Sequence, residues 1–292
     1  MDVSRLVVGV DGSVPARAAL RWACARAAER GATVLAVHVV DDEWGSPDAL
    51  TDDDDAPSLL DAETEYARSL SSGVNVSSEL LTGSPMWELA RYSDPSTMLV
   101  VGTHKSGFHY GRVFGSRSLQ LANLVNGPVA IVPETPVRMR RGVLVGVDDT
   151  PAGFAAVDVA ADFARAHDCE LTMVRASAGT VPTGWSEDAR REWQLRSDDL
   201  ARGKLATAAD RARHRQPDIV IRSRVVRRSA GIALNELARG AELLVIGDSR
   251  RAGGKLGSLG SVAYDVLLNL SSPTLVVHAP VTLPEGALRA ER

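Results

Sequence analysis

The chain reads as an α/β protein made of two tandem copies of one domain, each an open five-stranded parallel sheet with helices on both faces. Three observations predict this. Short, continuously apolar runs recur, the pattern of parallel strands buried on both faces. Helical periodicities separate those runs, so strand alternates with helix and right-handed crossovers follow. The landmarks of the first half return in the same order in the second, the mark of an internal repeat.

Three landmarks carry the repeat. Val8-Gly9-Val10-Asp11-Gly12-Ser13 returns as Val145-Gly146-Val147-Asp148-Asp149-Thr150. A step of 13 residues from Gly102 to Gly115 recurs from Gly247 to Gly260, and serines follow, Ser116 and Ser261. Each half closes on a proline and a strand: Pro128 before Val129-Ala130-Ile131-Val132, Pro273 before Thr274-Leu275-Val276-Val277. Between the copies, the polar, basic stretch from Glu134 to Arg141, with Pro136, reads as a linker and divides the chain into domains 1–137 and 138–292.

The elements follow in order. Leu6 to Val10 is an apolar run that predicts the first strand. Ser13 is a helix N-cap with Pro15 in the first turn; Ala16, Ala19, Leu20, Ala23 and Ala27 keep helical spacing until Gly31 stops them. Thr33 to Val40 is the second strand. In the second copy Thr150 caps, Pro151 opens the helix and Leu171 to Val174 is the strand. Third strands are predicted near Val74 to Leu81 and Ile219 to Val226, helices near Met86 to Tyr92 and Ala233 to Arg239, and buried fourth strands at Met98 to Val101 and Leu243 to Ile246. The last strand of each copy is expected at a sheet edge, open to pairing between the copies, between chains, or both. The run Asp52-Asp53-Asp54-Asp55 reads as a solvated loop, because no cation-ligand spacing accompanies it. Trp185 and Trp193 in the matching region of the second copy read as edge-of-core packing, with a docking surface as the alternative.

Composition narrows the function classes. Of 292 residues 45% are hydrophobic, enough for buried cores, but only 4% are aromatic, so Ala, Val and Leu must do most of the packing. A net charge of −4 argues against a nucleic-acid-coating surface. No apolar run approaches the roughly 18 residues of a membrane span, and the N-terminal residues lack a signal-peptide pattern. Cys24 and Cys169 form neither a disulfide framework nor a metal spacing, which points to a reducing cytoplasm.

Open parallel α/β sheets bind ligands beyond the carboxyl ends of their strands. There the sequence places Asp11 and Asp148 after the first strands, and Gly102 and Gly247 after the fourth. Glycine-rich loops follow, ending at Gly115-Ser116 and Gly260-Ser261. A helix starting at either serine aims backbone N–H groups at the loop, a setting for phosphate. An aspartate opposite suits a ribose hydroxyl or a metal bridging phosphates. A plain strand-to-helix loop that needs glycine is the competing reading.

These residues resemble the universal stress protein family in its tandem, actinobacterial-like form. That family carries a nucleotide-binding pattern of Gly, two residues, Gly, nine residues, then Gly followed by Ser or Thr, with a first-strand Asp and a His-Val pair ending the second strand. Copy one matches at Asp11, His38-Val39, Gly83-Ser84-Pro85, Gly102, Gly115 and Ser116, and copy two at Asp148, Gly231, Gly247, Gly260 and Ser261. The resemblance covers about Arg5 to Ala279. It implies a Rossmann-like fold of the adenine nucleotide alpha hydrolase-like kind and an ATP ligand, with magnesium as an optional companion. Asp11 and Val39 would serve the ribose and adenine, and Gly102, Gly115 and Ser116 the phosphates. It also implies a homodimer.

Two departures stand out. The middle glycine of the pattern is Lys105 in copy one and Arg250 in copy two, either an obstruction or a cation beside the phosphates. The His-Val pair is Arg175-Ala176 in copy two, which favours copy one as the ATP site. Neither a G-x-G-x-x-G fingerprint nor a Walker A loop is present, His104 and His109 read as solvated loop residues, and no general base is evident. The expectation is a non-catalytic, ATP-binding regulator of stress or dormancy adaptation. A slow ATPase and a nucleotide-free scaffold acting by dimerisation are the alternatives.

Overall fold

A computed structural model describes residues 3–41, 55–104, 116–134, 141–177, 184–248 and 259–278. The first copy runs β1 (Arg5–Gly9), α1 (Val14–Arg30), β2 (Thr33–Val40), α2 (Ala56–Leu70), β3 (Val76–Thr82), α3 (Pro85–Ala90), β4 (Thr97–Thr103), α4 (Ser116–Leu124) and β5 (Val129–Pro133). The second runs β6 (Val143–Gly146), α5 (Pro151–Ala166), β7 (Leu171–Ala176), α6 (Glu187–Arg215), β8 (Ile221–Val226), α7 (Ala230–Ala238), β9 (Leu243–Asp248), α8 (Ser261–Leu268) and β10 (Thr274–His278).

The two sheets are one. Ten strands run in the order β3-β2-β1-β4-β5-β10-β9-β6-β7-β8, parallel within each copy. At the centre β5 meets β10 antiparallel, Ile131 opposite Thr274 and Val129 opposite Val276. The last strands, expected at an edge, thus satisfy each other within the chain; the outer edges are β3 and β8. That removes the last strands as a route to pairing between chains.

Apolar cores lie on both faces of this sheet, and each spans both copies. One packs Leu20, Ala23, Leu205 and Ala209 against Val8 and Val145; the other packs Leu89, Leu121, Leu234 and Leu267 against Leu99 and Leu244. Small residues make this possible with few aromatics: Ala19, Ala23 and Ala27 of α1 are fully buried and let the helix lie close on the strands. The caps fold as their sequence suggests. Ser13 Oγ accepts the Ala16 N–H at 3.3 Å, and Gly31 ends α1 with φ at 64°. Thr150 Oγ1 accepts the Gly153 N–H at 3.0 Å.

A seam of side chains joins the copies. Arg26 of α1 lies over the Phe163 ring of α5, 4.7 Å from its centroid, pairs with Glu242 at 3.1 Å and contacts His167. Edge-of-core packing does not hold for Trp185, which is exposed; Trp193 is half-buried on α6. Cys24 is buried and Cys169 half-buried, both as free thiols.

Candidate functional site

In each copy the strand order reverses between the first and fourth strands, at β1/β4 and at β6/β9. The crevice at such a reversal, beyond the carboxyl ends, is where open α/β sheets hold ligands. Both copies have a cleft there, but of different size.

The first cleft has a volume of about 430 Å³, within the usual range of about 300–1,000 Å³ for small-molecule sites. Its apolar floor includes Val37, Met86, Leu89 and Val101, and Val39 of β2 lines one wall. Asp11 sits at the mouth, one carboxylate oxygen accepting the Ser13 N–H at 3.0 Å. Gly12 turns the chain there with φ at 75°, a conformation that glycine adopts without strain. His38 lies beneath, its Nδ1–H donating to the Val10 carbonyl at 2.7 Å and so fixing the end of β1. Across the cleft the first turn of α4 brings Arg117, which pairs with Asp41 at 3.4 Å. Asp41 and Arg117 were not singled out from sequence. Only their position beside predicted site residues, after strand two and after Ser116, hinted at them.

The second cleft measures about 220 Å³. Arg175 stands where His38 stands, and its Nη1 donates to the equivalent carbonyl, Val147 O, at 3.1 Å. The longer side chain reaches further, to Asp149 at 3.3 Å, and Lys204 of α6 joins the same carboxylate. The carbonyl at the strand end therefore keeps a donor without the His-Val pair, and Arg175, which lines the cleft, is tied to an ion-pair cluster. Asp148 is also more engaged than Asp11: it accepts both the N–H and the hydroxyl of Thr150, at 3.0 and 2.7 Å.

Asp11, Val39 and Gly102 come together in the first cleft, and Asp148, Gly247, Gly260 and Ser261 in the second. Ser116 begins α4. Lys105, Gly115 and Arg250 lie outside the described residues, as do His109, Asp52 to Asp54 and most of the linker. Gly102 and Gly247 have a role that sequence reasoning missed. A Cβ on Gly102 would fall 2.3 Å from the Pro15 carbonyl carbon, and one on Gly247 2.6 Å from that of Ala152. Each glycine lets the start of the copy's first helix lie against the fourth strand, so it serves packing before any ligand. Gly231 likewise admits Asp265 of α8, 2.5 Å from where its Cβ would be. Among the described residues no cluster of three or more His, Cys, Asp or Glu is arranged for a metal ion.

Fold and clefts define a class: doubly wound α/β chains with a crevice at each switch point. Known sequences and structures place the chain within it. The model of the universal stress protein family matches twice, over residues 3–133 and 139–278. The chain belongs to the universal stress protein family, in tandem form. A universal stress protein of Mycobacterium tuberculosis is 28% identical over 302 residues, covering 94% of this chain and 95% of its own. One of Mycolicibacterium smegmatis is 29% identical, covering 94% and 96%. Among solved structures, a universal stress protein from Archaeoglobus fulgidus shares the fold with a TM-score of 0.71 at 16% identity, covering 96% of this chain and all of its own. No helix among the described residues is long and apolar enough to cross a membrane.

Proposed function

We propose that the first copy binds ATP and that the protein uses it as a regulatory ligand in stress adaptation, in the cytoplasm, rather than as a substrate. One observation carries this reading: the first cleft combines ligand size, an apolar slot beside Val39, a carboxylate at the mouth and a cation at the opposite helix start. An adenine ring suits the slot, a ribose hydroxyl suits Asp11, and the Arg117 guanidinium offers charge-assisted hydrogen bonds to phosphate. A bound nucleotide regulates through different affinities for two conformations. Family membership supports the reading through the outer glycines of the pattern, Gly102 and Gly115, which the first copy keeps.

Calorimetry with ATP tests it: one equivalent per chain is expected, and Met86→Trp, which fills the slot with an indole, should weaken binding at least tenfold. No heat at millimolar ATP sinks the proposal and favours the scaffold. A turnover assay separates ligand from substrate, because steady phosphate release would make the protein a slow ATPase. A homodimer, if formed, uses surfaces other than β5 and β10. A light-scattering mass of one chain would exclude it.

A further inference from the structure

The second cleft differs from the first at the place where a phosphate would sit. Strand β9 ends in Gly247-Asp248, and the register partner of Asp248 on β10 is His278. In the first copy the same register sets Thr103 opposite Pro133. Asp248 is 2% exposed. One carboxylate oxygen accepts the Gly260 N–H at 2.9 Å, at the N-cap of α8, and the other lies 3.2 Å from His278 Nδ1. The neighbouring N–H, of Leu259, donates to Asn123 Oδ1 at 2.7 Å, from helix α4 of the other copy. The N-cap N–H of α8, one of the donors an anion at this helix start would use, therefore already has a carboxylate built into the chain.

We propose that Asp248 is an internal anion that closes the second copy to phosphate-bearing ligands. A phosphate arriving at α8 meets a buried charge of its own sign on the N-cap N–H. Moving the carboxylate aside breaks its contacts to Gly260 and His278 together. Arg175, held by Asp149, lines the same cleft. The chain is thus built with one phosphate-competent end and one self-occupied end. The inference draws on the nucleotide reading of the first copy only for its probe, ATP.

Calorimetric stoichiometry on the full chain tests it. Asp248→Thr installs the residue that the first copy carries at this register. The paired variant Asp248→Thr with His278→Pro copies the whole register pair and serves if the single substitution does not fold. Either folded variant is expected to bind one more equivalent of ATP than wild type. A folded variant with no added equivalent overturns the proposal, and so does a wild-type chain that takes two ATP. A wild-type chain that takes none counts against the first copy's site alone, while the difference between variant and wild type still decides this one.

Discussion

The two clefts occupy the same switch point of the same strand order, yet one has about twice the volume of the other, 430 against 220 Å³. The framework around them is shared: a capped first helix packed on a fourth-strand glycine, with an aspartate at the end of the first strand. The side chains at and around the clefts diverge. His38 becomes Arg175, Gly12 becomes Asp149 and Thr103 becomes Asp248. Backbone packing punishes change at the framework positions in both copies alike. The positions around a cleft bear no such load, so one copy can place charges there and keep the fold.

The largest expected effect tests whether the shared glycines belong to the framework. Gly102→Ala should destabilise the chain by more than ~3 kcal/mol without any nucleotide, because its Cβ would meet helix backbone at 2.3 Å. Gly247→Ala, with its nearest contact at 2.6 Å, should cost slightly less. Urea unfolding of both variants checks this. Native-like midpoints would return these glycines to a role in ligand approach alone.

A smaller effect separates the two caps. Thr150 Oγ1 caps α5 and also donates to Asp148, whereas Ser13 Oγ makes only a long bond to Ala16 among the contacts described for it. Thr150→Ala should cost about 1–2 kcal/mol and Ser13→Ala about 0.5–1 kcal/mol. Equal shifts in melting would erase that asymmetry.

The smallest effect probes whether the copies are two bodies or two ends of one. His167 sits in the seam, with Glu29 at 3.1 Å and Glu242 at 3.6 Å, beside Arg26. Burial, then the Arg26 charge, pushes its pKa below the ordinary value, and the two glutamates partly oppose them. The folded state therefore binds this proton less readily than the unfolded state does. Stability is full above the unfolded value of about 6.5 and is lost as pH falls from there through the lower folded value. In wild type the unfolding midpoint should drop over that window, and His167→Gln should flatten the drop. An unchanged profile in the variant would mean that the seam does not couple the copies through this histidine.

Much of this was legible in the chain itself. Continuous apolar runs, Ser13 and Thr150 before Pro15 and Pro151, and Pro128 and Pro273 before the last strands specify the elements, because these are local rules of backbone hydrogen bonding and torsion. Repetition of the Asp, Gly and Ser landmarks established the duplication and marked the carboxyl ends as the place for a site. Helix α2 starts at Ala56, immediately after an aspartate run that reads as loop, and Leu60 already lies in its buried face. That start depends on packing against α1, which the local pattern does not show.

What the sequence determined by itself was the unit: one α/β domain, written twice, with its landmarks on the same end of each sheet. Tertiary structure alone decided how the units join and how much room each cleft leaves. The pairing of β5 with β10 depends on two edges meeting across more than a hundred residues of chain, and no local signal distinguishes that from pairing with a second molecule. Likewise Asp248 is one more aspartate in the sequence. Only the register that sets it opposite His278, and the helix that brings Gly260 to within 2.9 Å, put its carboxylate on the N-cap N–H of α8. A residue type carries its chemistry with it, but its partners come from contacts between distant segments, and those exist only once the sheet has closed around them.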